Sequence, residues 1–206
     1  MQENKSLSAY RINLKERIVE NAMLEFFAKG VKAVKMDNIA RQLGISKRTL
    51  YELYENKEHL LLESIRHHHR LEESRMMQLR TSNSNVMDII LHAYKENIEK
   101  FKNVSPLFFN DIAKYPRIMA MLNEEKDQNR QRFIDFLQRG VDEGYFRPDI
   151  NFEMVATMFD AIGEYIMKYQ LYMKYSMEDI LRNAMLTSLR GICTLQGVTV
   201  LDAFKL

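Results

Sequence analysis

Tryptophan is absent from this chain of 206 residues, cysteine occurs once and proline three times. The single Cys193 excludes an intramolecular disulfide and any cage of cysteines around a metal. Three prolines and seven glycines leave long stretches free of both, which favours helices over strands and turns. No run of about 18 uninterrupted apolar residues occurs, so no membrane-spanning helix is expected. Residues 1–10 are polar and lack the apolar core of a signal peptide, which makes a cytoplasmic location the expectation. No Glu-x-x-His pair is present, against a carboxylate di-metal bundle, and His67, His68 and His69 point about 100° apart on a helix rather than converging on one ion. No grouping of serine, histidine and carboxylate stands out. Neither an enzyme, a cofactor nor a metal is expected.

What is present is apolar residues at 46% of the chain, charged residues at 28% and a net charge of +2. Residues 1–80 hold 15 Lys and Arg against 11 Asp and Glu; the remainder holds 15 against 17. A mildly basic head on a mildly acidic body suits a nucleic-acid reader joined to something else. Ile18, Ala22 and Phe26 recur at four-residue spacing and predict a helix over 14–29, ended by Gly30. Two short helices are expected at 37–43 and 47–54. A long one follows, with Asn56 as its N-cap. The polar run Thr81-Ser82-Asn83-Ser84-Asn85 is read as a linker. The expected division is therefore a head at 1–56, a connecting helix at 57–80 and a larger helical body at 81–206.

Residues 36–55 have the spacing of a helix-turn-helix. Ala40 stands where two helices must cross closely, and Gly44 supplies the turn. Leu50 returns to a core made with Ile39, Leu43, Ile45 and Leu53. Ser46 can cap the second helix. Left outward on that helix are Lys47, Arg48, Thr49, Tyr51 and Glu52, the mix of cations and hydroxyls that a major groove requires.

These residues, with Tyr54, Lys57, Leu60-Leu61 and the preceding Phe26-Phe27-x-x-Gly30, resemble the N-terminal signature of the TetR family of regulators over about residues 18–61. The resemblance implies an all-α fold and a homodimer on palindromic double-stranded operator DNA. It also implies a repressor whose operator binding is released by a small molecule held in the C-terminal domain. By position it assigns Tyr51 and Lys57 to the phosphate backbone and turns Lys47, Arg48 and Thr49 to the groove, with Ser46 and Tyr54 beside them. Where relatives often carry Thr or Ser, this chain has Met36, and Lys35 is expected to substitute. Arg48 stands where relatives are often small and is the candidate reader of guanine.

Beyond the linker, helices are expected from residue 86, after Pro106, after Pro116 and over 151–174 and 178–196. The stretch 123–132 contains no apolar residue and is expected to project into water. Phe108, Phe109, Met119, Met121, Phe133, Phe136, Met158 and Tyr165 are candidates to line an apolar cavity for a small apolar or amphipathic ligand of unknown identity. The helix after Asn151 confines its polar residues to one narrow strip of Glu153, Thr157, Asp160, Glu164 and Lys168. So apolar a helix must be covered on most sides, and Phe159, Ile162, Ile166, Leu181, Met185, Leu189 and Ile192 are expected at a dimer interface. The rival reading is a helical interaction protein that binds DNA without any ligand.

Overall fold

The computed structural model describes residues 2–81 and 84–204. They are helical almost throughout, and the described residues contain no β-strand. Ser82 and Asn83 of the polar linker lie outside the described residues. No helix among them is long and apolar enough to cross a membrane. The chain forms two compact units, one of Met1–Arg75 with Val104–Ile118, the other of Met76–Asn103 with Met119–Leu206. Residues 104–118 thus pack with the first unit although they follow the linker.

The first unit begins with α1 (Gln2–Lys29), which starts twelve residues before the periodic stripe that marked it in the sequence. Nothing in residues 2–13 breaks a helix, and Tyr10 and Ile12 stay exposed there. Ile18, Ala22 and Phe26 are fully buried. Gly30 ends α1 at φ 77°, and a Cβ there would lie 2.9 Å from Leu107 Cβ. Glycine is therefore required both by conformation and by the approach of α6 (Pro106–Ile112). Phe27 and Phe108 meet edge to face at 4.8 Å, and Asp111 accepts from the Lys32 N–H at 2.8 Å. Between α1 and α6 in sequence lie α2 (Met36–Gln42), α3 (Lys47–Leu53), α4 (Lys57–Thr81) and α5 (Val86–Phe101). Asn56 caps α4 through the His59 N–H at 2.9 Å.

The second unit holds α5, α7 (Pro116–Asp142) from Met119 onward, α8 (Phe152–Lys168) and the helical C-terminal stretch. Its core joins Val86, Met87, Leu137, Phe146, Val155, Leu189, Ile192 and Cys193. Gly140 is a helical residue. It sits within α7, where a Cβ would overlap the Phe146 ring at 2.1 Å. Gly144, at φ 81°, is the turn residue.

Two sequence expectations fail here. The helix after Asn151 stops at Lys168 rather than 174, because Gln170 turns into the left-handed region at φ 51° and a 3-10 turn follows over Leu171–Met173. The last expected helix is not uniform. It runs through α9 (Met177–Ile180), a π-helical stretch over Leu181–Leu186 and α10 (Thr187–Ile192). Thr194 then caps a separate α11 (Leu195–Ala203) by accepting from the Gly197 N–H.

Candidate nucleic-acid interface and cavity

Helix α3 owes its position to Leu50, which is fully buried, and to the close crossing at Ala40, 3% exposed. Gly44 makes the turn at φ 66°, and the Ile45 N–H donates to Ala40 O at 3.0 Å. Ser46 caps α3 by accepting from the Thr49 N–H at 3.0 Å, and the two hydroxyls are 2.8 Å apart. These contacts fix which face of α3 looks outward.

That face carries Lys47, Arg48 and Tyr51. The Arg48 side chain is 88% exposed and pairs with Glu52 at 2.8 Å; Lys47 pairs with Asp37 at 2.9 Å. Exposed pairs of this kind contribute about 0–1 kcal/mol, so either cation can exchange its partner for a base edge or a phosphate at little cost. Tyr51 shares a concavity of about 370 Å³ with Lys32, Lys35, Met36 and Lys57. Lys35 occupies the N-cap position of α2 and makes no side-chain cap. Lys32 and Lys35 are exposed and have no counter-ion among the described residues. Lys32 was not singled out in the sequence. Its only signal there is its place, with Lys35, in the loop before α2.

Two residues assigned to DNA by resemblance make contacts within the first unit. Tyr54 is 4% exposed, its ring stacks edge-on against His59, and its hydroxyl reaches Lys15 O at 3.4 Å. Burial pushes its pKa up to about 12. It is a core residue, removed from the outward face. Lys57 directs its ammonium to the carbonyls of Val31, Val34 and Lys32 at 2.8, 3.0 and 3.4 Å. Partial burial lowers its pKa. An ammonium has three N–H donors, and all three are used. Lys57 thus holds the loop that bears Lys32 and Lys35. Lys57→Met is expected to lower the thermal midpoint of the protein by a few degrees, since it removes three charge-assisted hydrogen bonds. An unchanged midpoint by circular dichroism would show that these bonds are idle.

The second unit encloses a cavity of about 470 Å³ between α5, α7, α8, the π-helical stretch and α10. Its apolar wall includes Phe133, Phe136, Phe159, Leu181, Met185 and Leu189. Of the residues proposed on sequence for a cavity, Phe133 and Phe136 are on this wall. Phe108 and Phe109 pack in the first unit, Met119 and Met121 line no part of it, and Met158 and Tyr165 are exposed. Four residues assigned to a dimer interface, Phe159, Leu181, Met185 and Leu189, face the cavity instead, and Ile192 belongs to the core. Ile162 and Ile166 are half-buried. The outward stripe of α8 is Met154, Met158, Ala161, Tyr165 and Tyr169, all exposed.

The polar strip of α8 faces α7. Arg130 donates to Asp160 at 2.9 Å, to Glu153 at 3.0 Å and to the Thr157 hydroxyl at 2.9 Å. Lys126 reaches Glu164 at 3.0 Å and Asp160 at 3.6 Å. The middle of α7 therefore does not simply project into water; one of its faces is tied to α8 along the cavity rim. The signal was legible as two complementary charge patterns on helical spacing. Tyr94, 5% exposed, also lines the cavity, and its hydroxyl is buried with no partner among the described residues. Such an orphan costs about 1–3 kcal/mol. Among the described residues no cluster of three or more His, Cys, Asp or Glu could hold a metal ion.

A helix-turn-helix with a cationic outward face, joined to a helical unit built around a cavity, defines a DNA-binding regulator. Residues 18–64 match the model for bacterial regulatory proteins of the tetR family. The HTH-type transcriptional repressor KstR2 of Mycobacterium tuberculosis is 25% identical over 144 residues, covering 67% of this chain and 72% of that protein. Two solved structures share the fold at TM-score 0.68. One is a putative transcriptional regulator from Saccharomonospora viridis in complex with choline, 20% identical, over 88% of this chain and 98% of that one. The other is reduced NemR of E. coli, 14% identical, over 88% and 97%. The first unit thus carries a DNA-binding segment of the tetR type over residues 18–64, and the fold of the whole is that of solved regulators. Members of the family are non-enzymatic DNA-binding proteins.

Proposed function

We propose that this protein is a homodimeric repressor that binds a palindromic operator through α3 and leaves it when a small amphipathic molecule occupies the cavity of the second unit. One observation carries the reading. A single chain holds an exposed cationic helix, locked in place by a buried core, and an apolar cavity of a size usual for small-molecule sites. A relative of the same fold crystallised with choline supports a small-molecule occupant. The exposed apolar stripe of α8 supports a twin subunit as its cover.

Within the head, Arg48 specifies sequence, while Lys35, Lys47 and Tyr51 supply affinity through phosphates. A guanidinium can donate two hydrogen bonds to one guanine, and removing that pair costs about 1–3 kcal/mol and relaxes one base pair per half-site. Arg48→Ala should therefore weaken binding to the operator but not to its variants at that base pair. Lys35→Ala should weaken all sequences alike and flatten the slope of log affinity against log salt by roughly one unit for each phosphate no longer neutralised. The measurement is affinity for the operator and its single-base variants across a salt series. If Arg48→Ala weakens every variant equally, Arg48 is only another backbone-binding residue.

A further inference from the structure

We infer that the cavity of the second unit selects an amphipathic organic cation, an apolar body bearing an ammonium group, over neutral or anionic molecules with the same body. The inference rests on the reading of this cavity as the ligand site. Its aliphatic wall of Leu181, Met185, Leu186 and Leu189 offers an ion nothing, so the body must be apolar. Selection by charge is decided at the rim.

Lys126 and Arg130 are the two cations that line the cavity, and both are already engaged. Arg130 spends its Nε and both terminal nitrogens on Glu153, Asp160 and Thr157. Lys126 is held between Glu164 and Asp160. An arriving anion would have to displace a carboxylate already in place. It would also face Asp127 and Asp160, the two carboxylates that line the cavity. Asp127 lines the cavity and has no ion-pair partner among the described residues. The lining charges balance, and this carboxylate is the one among them not tied up in an ion pair. An ammonium meets Asp127 directly, and the crossed rings of Phe133 and Phe159, 5.8 Å apart, give it aromatic surface. The unpartnered Tyr94 hydroxyl is a second, independent sign that the wall is built for a guest with a polar group.

The test titrates decyltrimethylammonium, decanol and decanoate, each below its critical micelle concentration, into the full-length protein and its Asp160→Asn variant by calorimetry. The wild type should bind the ammonium about tenfold more tightly than decanol, with decanoate weakest. Asp160→Asn should lower ammonium affinity, leave decanol unchanged and strengthen decanoate, because Arg130 loses a competing partner. Its thermal midpoint is recorded alongside, and Glu164→Gln, at a more exposed position, provides the same readout if Asp160→Asn folds poorly. Equal affinity for all three probes, or decanoate tightest, overturns charge selection while leaving the cavity a ligand site. Failure of all three to bind overturns both the selection and the reading of the cavity beneath it.

Discussion

Met158→Glu combined with Tyr165→Glu is expected to turn the proposed dimer into a folded monomer and to reduce operator affinity by at least about a hundredfold. Both side chains lie on the exposed stripe of α8, at 41% and 55% exposure, so a charge there disturbs no packing within the subunit. Across a twofold axis the same charges would face their own copies in an apolar interface. Loss of the dimer separates two half-site engagements that had been one bivalent event, and the avidity forfeited in such cases is about 10²–10⁴. Sedimentation should give the monomer mass with helical content unchanged. The contrast is with Met185 and Leu189, which the sequence nominated for the same role. They line the cavity from inside, so charging them should lower the thermal midpoint rather than release a folded monomer. A dimer that survives the α8 double substitution contradicts the assignment.

Leu50→Ala is expected to abolish specific operator binding. The side chain is fully buried beneath the outward face of α3, the face proposed to read DNA. Truncating a buried leucine costs about 2–5 kcal/mol, a large share of what holds a small domain together. Helix α3 has seven residues and cannot persist without that anchor. Cavity binding by the second unit should outlast the change, since its core is made of other residues. Heat-unfolding followed by circular dichroism, with operator binding by anisotropy, checks both halves. Retention of wild-type operator affinity would refute the role given to Leu50.

How much of this is legible in the sequence depends on the range of the interaction that decides it. The helix-turn-helix is, because Ala40, Gly44, Ser46 and Leu50 act through contacts a few residues apart. The caps at Asn56, Asn151 and Ser176 are legible for the same reason. The placement of Lys57 is not, because its partners, the carbonyls of Val31, Lys32 and Val34, are backbone atoms that no side-chain pattern announces. Nor is that of Tyr54, because a tyrosine near a basic helix looks alike whether its ring faces out or packs under α1. In the second unit, periodicity shows that α8 has two unlike faces but not which one turns outward. Lys126 and Arg130 on α7 decide it by drawing the acidic strip toward them, which leaves Met154, Met158 and Tyr165 exposed. The break at Gln170 and the π-helical stretch contain no glycine or proline to announce them.

The central claim is that α3 reads a specific palindrome as one half of a symmetric dimer, and selection of bound DNA from a random duplex pool tests it most directly. The account predicts recovery of one inverted repeat whose half-sites lie about one helical turn apart, centre to centre, or a multiple of it. Each half-site should contain a guanine whose requirement disappears when the selection is repeated with Arg48→Ala. Recovery of no enriched sequence, or of a single half-site without its inverted partner, would contradict the account.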